Sequence, residues 1–264
     1  MKASRVPALI LALVLVFLYL PILLLVVNSF NEARYSSTWG GFTLKWYQAL
    51  GSWENRDLWS AALRSLFIAL SSSGVSMVLG TLSACALHWH RSRLQQVNYG
   101  ILYLPIVIPD LLMGISLLLF FVGLGVTLGV GTILIAHITF CASFVTVVVL
   151  GRLQGFDENV IAAARDLGAS RWVIVRRILL PLLAPGIIAG GLLAFTLSVD
   201  DYVITFFVTG PGSTTLPLKI YSMVKHSKDL PVINAISTLF LALTFLIVWL
   251  SQRLTESQPN RSSR

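Results

Sequence analysis

Acidic residues inside apolar segments are the first feature of this sequence that could do chemistry. Asp110 follows a Leu-Pro-Ile-Val-Ile-Pro segment, and Asp200 and Asp201 lie inside an apolar stretch that runs from 182 to 208. A charged side chain at the centre of a lipid bilayer costs about 2.5–3.5 kcal/mol on insertion scales, so such residues usually have a ligand or a specific partner. Carboxylates without a neighbouring cation make a site for a cationic ligand.

The alternative is that these carboxylates pair with cations inside the protein. Arg64 and Lys219 lie near the ends of apolar stretches, which leaves His137 as the only basic candidate in a central position. Three acids that face at most one weak base leave an excess of negative charge, which favours a cationic ligand over a purely structural role. Because adjacent helical residues point about 100° apart, at most one of Asp200 and Asp201 should face a substrate path squarely. The other is expected to bond to a neighbouring helix.

Prolines and an aromatic residue accompany the acids. Pro105 and Pro109 lack a backbone N–H, so we expect the helix to open near Asp110 and to expose carbonyl groups to a cavity. Asp110 lies about eleven residues, or ~16 Å, from the cytoplasmic end of its stretch, which predicts a position near the midplane. An aromatic ring can contact a cation through its face. The candidates for a substrate path are therefore Asp110, Asp200, Asp201 and Tyr202.

The elements that must position these residues are membrane helices. The 264 residues are 56% hydrophobic with a mean hydropathy of +0.83, and only 11% are charged, against about 25% in ordinary soluble domains. Lipid can solvate such an apolar exterior, whereas water cannot. The sequence predicts an all-α integral membrane protein with one transmembrane domain over 1–252 and a polar cytoplasmic tail over 253–264. Six stretches are long enough to cross about 30 Å of hydrocarbon: approximately 6–28, 60–87, 99–122, 130–150, 182–208 and 232–252.

The distribution of charge orients the helices and excludes other classes of protein. The net charge is +8, but most of the charged residues lie between apolar runs and not along one face, so no nucleic-acid partner is predicted. Lys and Arg are more frequent on the side that would hold both ends of the chain, which predicts cytoplasmic termini. The apolar run from Val6 to Val27 exceeds the core of a cleaved signal peptide and is predicted to be a retained first span. Cys85 and Cys141 have no metal-ligand spacing, and neither a metal nor a cofactor is predicted.

The cytoplasmic loop over 151–181 predicts two short helices. Asp157 can cap a helix that runs through three alanines, and Gly168 suits the left-handed residue that ends it. Ser170 can cap a second helix, which Pro181 is expected to stop at the start of the next span. The face at 162–164 carries no bulk, so the backbone of another protein could approach closely. A plain solvated connector would not need these caps, and a DNA-binding helix-turn-helix would be too closely tethered to the membrane to enter a groove.

This loop resembles the "EAA" loop of binding-protein-dependent ABC importers, through Ala163-Ala164-x-x-x-Gly168 followed by Ile178-Leu-Leu-Pro181. The resemblance implies that the loop docks into a groove on an ATP-hydrolysing subunit. The family usually has a glutamate where this chain has Ala162, and Asp166 or Glu158 would replace that charge only in part. The coupling residues that the resemblance implies are Ala162, Ala163, Ala164, Asp166, Leu167 and Gly168. The sequence contains no G-x-x-x-x-G-K-[ST] phosphate loop, so it is not predicted to be an enzyme and its energy should come from a partner.

Longer segments narrow the resemblance to the permease subunits of spermidine/putrescine importers. The matching segments are 28–31, 41–47, 109–110, 137–141, 195–211 and 215–225. The resemblance implies a type I ABC importer (MetI-like) fold in a bacterial inner membrane. It also implies a second homologous permease, an ATPase dimer and a periplasmic substrate-binding protein. The expected function is polyamine translocation, and the alternative within the family is import of another cationic or small organic solute. A rival outside it is a stand-alone carrier or channel with proton coupling through Asp110.

Overall fold

A computed structural model describes residues 5–33, 38–90, 93–226 and 230–256. Within these ranges every regular secondary-structure element is a helix, and the only β contact is an isolated bridge between Asn31 and Phe42. The all-α prediction is therefore confirmed. Residues 257–264, which make up most of the predicted polar tail, lie outside the described residues.

Twelve α-helices are named here in chain order for the described ranges. They are α1 (Arg5–Asn28), α2 (Lys45–Leu50), α3 (Arg56–Trp89), α4 (Gln95–Val107), α5 (Asp110–Gly123), α6 (Val130–Gln154), α7 (Asn159–Asp166), α8 (Arg171–Ile174), α9 (Leu180–Asp200), α10 (Val203–Val208), α11 (Leu216–Lys225) and α12 (Leu230–Glu256). A short 3₁₀ turn at Trp53–Asn55 precedes α3, and a π-helical segment at Val175–Leu179 joins α8 to α9.

The chain forms two compact units. The first comprises residues 1–60 and 219–246, and the second comprises 61–218 and 247–264. The core of the second unit surrounds α6, on which Ile133, Ala136, Cys141, Val145 and Val149 are all buried. All the candidate acids and the whole coupling loop belong to this second unit.

Five helices within the described residues are long and apolar enough to cross a membrane: Leu9–Asn28, Trp53–Trp89, Val130–Gln154, Arg171–Asp200 and Leu230–Leu250. A sixth crossing is possible if α4 and α5, which meet at an angle of 108°, form one broken span. The residue before the proline at the break, Ile108, is extended at φ −69° and ψ 132°. A proline sterically disfavours helical geometry in the residue before it. The helix therefore opens beside Asp110, as predicted; the break lies at Pro109, whereas α4 continues through Pro105.

The apolar stretch predicted over 182–208 is too long for one straight crossing, and the structure divides it between α9 and α10. Helix α9 runs without interruption through Pro185, Gly190 and Gly191, and ends at Asp200. Gly190 serves the packing of this helix against α6. A Cβ at Gly190 would lie 3.2 Å from Val145 of α6, and small residues allow membrane helices to approach closely in this way.

Pro181 does not stop the second coupling-loop helix, contrary to the prediction. The chain remains helical from Arg171 to Asp200, with the π-helical segment placed immediately before the proline. Pro181 has no N–H for the carbonyl of Arg177. The wider π turn is the local adjustment that carries the helix past this position.

Candidate functional site

The gap between α9 and α10 contains two of the predicted path residues, Asp201 and Tyr202. Asp201 is extended at φ −61° and ψ 124°, and its carboxylate folds forward over α10. Its Oδ1 accepts the N–H of Ile204 at 3.3 Å, and its Oδ2 accepts the N–H of Thr205 at 2.8 Å. The Thr205 hydroxyl also donates to Oδ2 at 2.7 Å. Asp201 therefore caps the first turn of α10, in the manner of a helix N-cap.

His137 of α6 reaches this cap from the protein interior, where its side chain is 1% exposed. Its Nε2 lies 3.3 Å from Asp201 Oδ2 and 3.0 Å from the hydroxyl oxygen of Thr205. Its Nδ1 lies 2.7 Å from the hydroxyl oxygen of Ser198, which in turn lies 2.9 Å from that of Ser72 on α3. We call these five side chains, Ser72, Ser198, His137, Thr205 and Asp201, the polar chain. Four helices meet in it.

The two adjacent aspartates have different environments. Asp201 has a side chain that is 8% exposed and is held by the polar chain. Asp200 is the last residue of α9 and is exposed. It forms no ion pair with a Lys, Arg or His within the described ranges. This is the division that the angular offset between neighbours predicted, with one acid bonded to another helix and the other open to solvent or ligand.

Asp110 begins α5 directly after Pro109 and is also exposed. Its carboxylate has no hydrogen bond or ion pair with any residue that the structure describes. The N-terminal end of a helix favours negative charge, so an acidic side chain suits this position. Its depth near the midplane stays a prediction.

Helix α5 packs closely on α10 through a glycine. A Cβ at Gly114 would lie 2.6 Å from the ring of Phe207 and 3.4 Å from the backbone of Ile204. The helix that begins with Asp110 therefore rests on the helix that Asp201 caps.

Aromatic rings continue from the gap onto α10. Tyr202 and Phe206 have ring centroids 5.9 Å apart, and Phe206 meets Phe207 edge to face at 5.3 Å. Phe206 remains exposed. An exposed carboxylate with aromatic rings nearby is a combination that suits ammonium groups.

The basic residues considered as partners for the acids are engaged elsewhere. Arg64 donates to the carbonyl of Thr214 at 2.6 Å, within the second unit. Lys219 lies 3.5 Å from Asp57, within the first unit. Among the candidates, only His137 contacts a path acid. It is a packed polar residue, as its central position suggested.

Sequence reasoning missed the hydroxyl groups of the polar chain. Ser198 and Thr205 carry no distinctive motif, and their role depends on which side chains meet in three dimensions. One signal was available, since an aspartate placed just before the apolar run at 203–208 is typical of a helix cap.

The coupling loop has the predicted caps. Asp157 Oδ1 accepts the N–H of Asn159 at 3.0 Å, and the Ser170 hydroxyl accepts the N–H of Val173 at 3.4 Å. Gly168 has a φ of +79°, in the left-handed region that favours glycine. The rigid turn this creates presents Leu167, whose side chain is 88% exposed.

The three alanines of this loop do not share one exposed face. Ala162 and Ala163 are exposed, whereas Ala164 is buried. The prediction of a common face over 162–164 is therefore wrong for Ala164. Consecutive helical residues are about 100° apart, so three in a row span too wide an arc for one surface.

The charge that Ala162 lacks has no direct replacement on the same turn. Asp166 is exposed and has no ion-pair partner within the described residues. Glu158 Oε1 lies 3.4 Å from Nε2 of His88, at the end of α3. Glu158 and Ala162 line a cleft of about 500 Å³. Its other lining residues include Trp89, Arg165, Arg171 and Leu179.

Comparison with known proteins places these features in a context. Residues 76–256 match the family model "Binding-protein-dependent transport system inner membrane component". The chain is 46% identical over 242 residues to the spermidine/putrescine transport system permease protein PotC of Escherichia coli K12, covering 92% of this chain and 90% of that protein.

Solved structures agree at the level of the fold. A chain of the MetNI methionine ABC transporter matches with a TM-score of 0.65 at 20% identity, over 82% of this chain and 99% of that one. A chain of a bacterial ABC transporter that imports the acidic polysaccharide alginate matches with a TM-score of 0.70 at 17% identity, over 97% and 96%. The predicted MetI-like importer fold is confirmed.

Proposed function

The chain belongs to the family of binding-protein-dependent transport system inner membrane components, and from this premise we propose that it is the transmembrane permease subunit of an ATP-driven importer for the polyamines spermidine and putrescine. The observation that carries the proposal is its similarity, over nearly the whole chain, to a permease named for those two substrates. The exposed acids support it independently, since an anionic path suits a cation with several ammonium groups.

Two of the four path residues are proposed to contact substrate through their carboxylates. Asp110 and Asp200 are exposed and form no ion pair in the described part of the chain. Each could accept hydrogen bonds from an ammonium group, which would replace part of the hydration that the cation loses in the membrane. Hydrogen bonds of this charged kind are short and roughly twice as strong as neutral ones.

Asp201 and Tyr202 are proposed to shape the same path. Asp201 contributes its charge from a fixed position, because its carboxylate is already bonded to α10 and His137. Tyr202, with Phe206 beside it, offers aromatic surface next to Asp200. Such rings attract cations without holding them tightly. A path must avoid tight binding if the substrate is to leave.

The coupling loop is proposed to receive energy from an ATPase dimer. Leu167 projects from a rigid turn, and Trp172 in the first turn of α8 is exposed as well. Large exposed apolar side chains on a capped, rigid segment are typical of protein interfaces. Ala162, Ala163, Asp166 and Gly168 would lie on the same docking surface, while buried Ala164 would support it from behind.

The remaining partners are proposed on the same basis. They are a second homologous permease, a periplasmic substrate-binding protein and the surrounding lipid of the inner membrane. Both termini are proposed to be cytoplasmic, because the positive charge of the short loops and chain ends favours that side. The chain would contribute no catalytic residue, and ATP hydrolysis would belong wholly to the partner.

Uptake of labelled spermidine and putrescine tests the proposal. Cells without their own polyamine uptake would express the chain together with a second homologous permease, an ATPase and a periplasmic binding protein. We expect uptake that disappears when any one component is omitted or when the ATPase is replaced by a variant unable to hydrolyse ATP.

Two results would contradict the proposal. Uptake by the purified chain alone in liposomes, without ATP, would instead identify a stand-alone carrier. ATP-dependent uptake of a different cation or small organic solute, with none of either polyamine, would keep the importer and replace the substrate.

A further inference from the structure

We propose that His137 is a positioning residue for the substrate path. His137 holds both sides of the gap between α9 and α10 and so fixes the direction of Asp200. The inference rests on the proposed function, because Asp200 is assigned there to the substrate. His137 itself is buried and would not touch the polyamine.

The imidazole is bonded to both flanks of the gap at once. On one side Nδ1 meets Ser198, two residues before Asp200, at 2.7 Å. On the other side Nε2 meets Thr205 at 3.0 Å and Asp201 at 3.3 Å. Two non-helical residues, Asp201 and Tyr202, separate α9 from α10. A single side chain on α6 therefore spans the joint.

The proton inventory assigns a direction to these bonds. A neutral imidazole has one N–H and one lone pair. If Nε2 lacked the proton, its lone pair would face the Asp201 carboxylate, so the N–H belongs on Nε2. Nδ1 then accepts the hydroxyl proton of Ser198, whose oxygen can accept the proton of Ser72. The Thr205 hydroxyl donates to Asp201, and every member of the polar chain has a partner.

No residue of the joint at 201–202 restricts the backbone by its own covalent structure. Neither Asp201 nor Tyr202 is a proline or a glycine, and no proline follows before Pro211. The backbone geometry at Asp201 is therefore set by the bonds of its carboxylate and, through that carboxylate, by His137. Loss of the imidazole would leave buried polar atoms unpaired, which a protein interior tolerates poorly.

Substitutions that keep one half of the imidazole's function test the proposal in the complete transporter. Glutamine can place an N–H donor near the position of Nε2, whereas asparagine can place an oxygen only near Nδ1. We expect His137→Leu to lower the initial rate of spermidine uptake about tenfold, the scale set by a lost buried hydrogen bond. His137→Gln should recover most of the rate, and His137→Asn should recover little. Equal rates for Gln and Asn, or a normal rate for Leu, would overturn the proposal.

A double substitution separates positioning from general stability. If His137 acts through Asp200, His137→Leu should cost little further uptake when Asp200 is already replaced by Asn, because coupled residues are not additive. A full additional tenfold loss in that background would show a merely structural role and overturn the proposal.

A milder variant covers the case in which His137→Leu does not assemble. Thr205→Val removes one hydroxyl of the polar chain with almost no change of shape, and we expect uptake to fall about threefold, in the lower part of the range for one hydrogen bond. Thr238→Val is the matched control, since among the described residues the Thr238 hydroxyl bonds only to the carbonyl of Asn234 in its own helix. Equal uptake by the two variants would count against the proposal. Failure of the wild-type transporter to take up polyamine would instead refute the proposed function.

Discussion

The candidate path acids of this protein lie at two helix breaks, and the two breaks have different causes. The break between α4 and α5 follows from Pro109, which forces the residue before it out of helical geometry and needs no help from a side chain. The break between α9 and α10 contains no proline, and its geometry depends on the carboxylate of Asp201 and the imidazole of His137. Where the backbone makes the break, the acid beside it, Asp110, is exposed. Where an acid makes the break, that acid, Asp201, is buried and its neighbour Asp200 is the exposed one.

The comparison predicts its largest effect on stability at Asp201. Asp201→Ala removes the cap of α10 and leaves the buried N–H of His137 without its carboxylate acceptor, so we expect a loss of about 3 kcal/mol in the free energy of unfolding, since a lost cap costs about 1 kcal/mol and an unpaired buried polar group about 1–3 kcal/mol. Unfolding of the purified transporter in detergent by heat or denaturant measures this loss of stability. Asp110→Ala is the matched control and should change stability by less than about 0.5 kcal/mol, as exposed substitutions usually do. Similar losses in both variants would break the comparison.

Spermidine uptake should depend most on the exposed acids Asp110 and Asp200, whereas stability should depend most on Asp201. Asp110→Asn and Asp200→Asn each remove an exposed charge while keeping the shape of the side chain. Each should lower spermidine uptake about tenfold, because hydrogen bonds to charged groups contribute about 1.5–3 kcal/mol. Initial rates of labelled uptake measure the effect, and the amount of assembled transporter should equal that of wild type. Unchanged uptake in both variants would remove the anionic path from the mechanism.

The smallest effect is expected at the proline break. Pro109 has a φ of −55°, which suits proline, so Pro109→Ala should reduce stability by only about 0.4–1 kcal/mol through the greater freedom of the unfolded chain. Denaturant unfolding of the complex measures this. A loss as large as that at Asp201 would show that Pro109 holds tertiary structure as well as local geometry, and the two breaks would then differ less than proposed.

The coupling loop shows how far local chemistry can be read from sequence. The caps at Asp157 and Ser170 and the left-handed Gly168 were all predicted, because each involves residues within three positions of one another. The stop at Pro181 was not correct, because a π-helical segment accommodates a proline that the simple rule treats as a terminator. The burial of Ala164 also escaped prediction, since the sequence did not indicate which side of this short helix would be covered.

The sequence by itself determined the membrane helices, the opening beside Asp110, the capped coupling loop and, by resemblance, the importer family that the comparisons confirm. These features depend on hydropathy and on chemistry between near neighbours in the chain. Only the tertiary structure decided which aspartate is exposed and which is sealed, and that His137 links the two sides of a helix break. The bonds that decide this join residues 61 and 68 positions apart, and such contacts form only when separate helices have packed together.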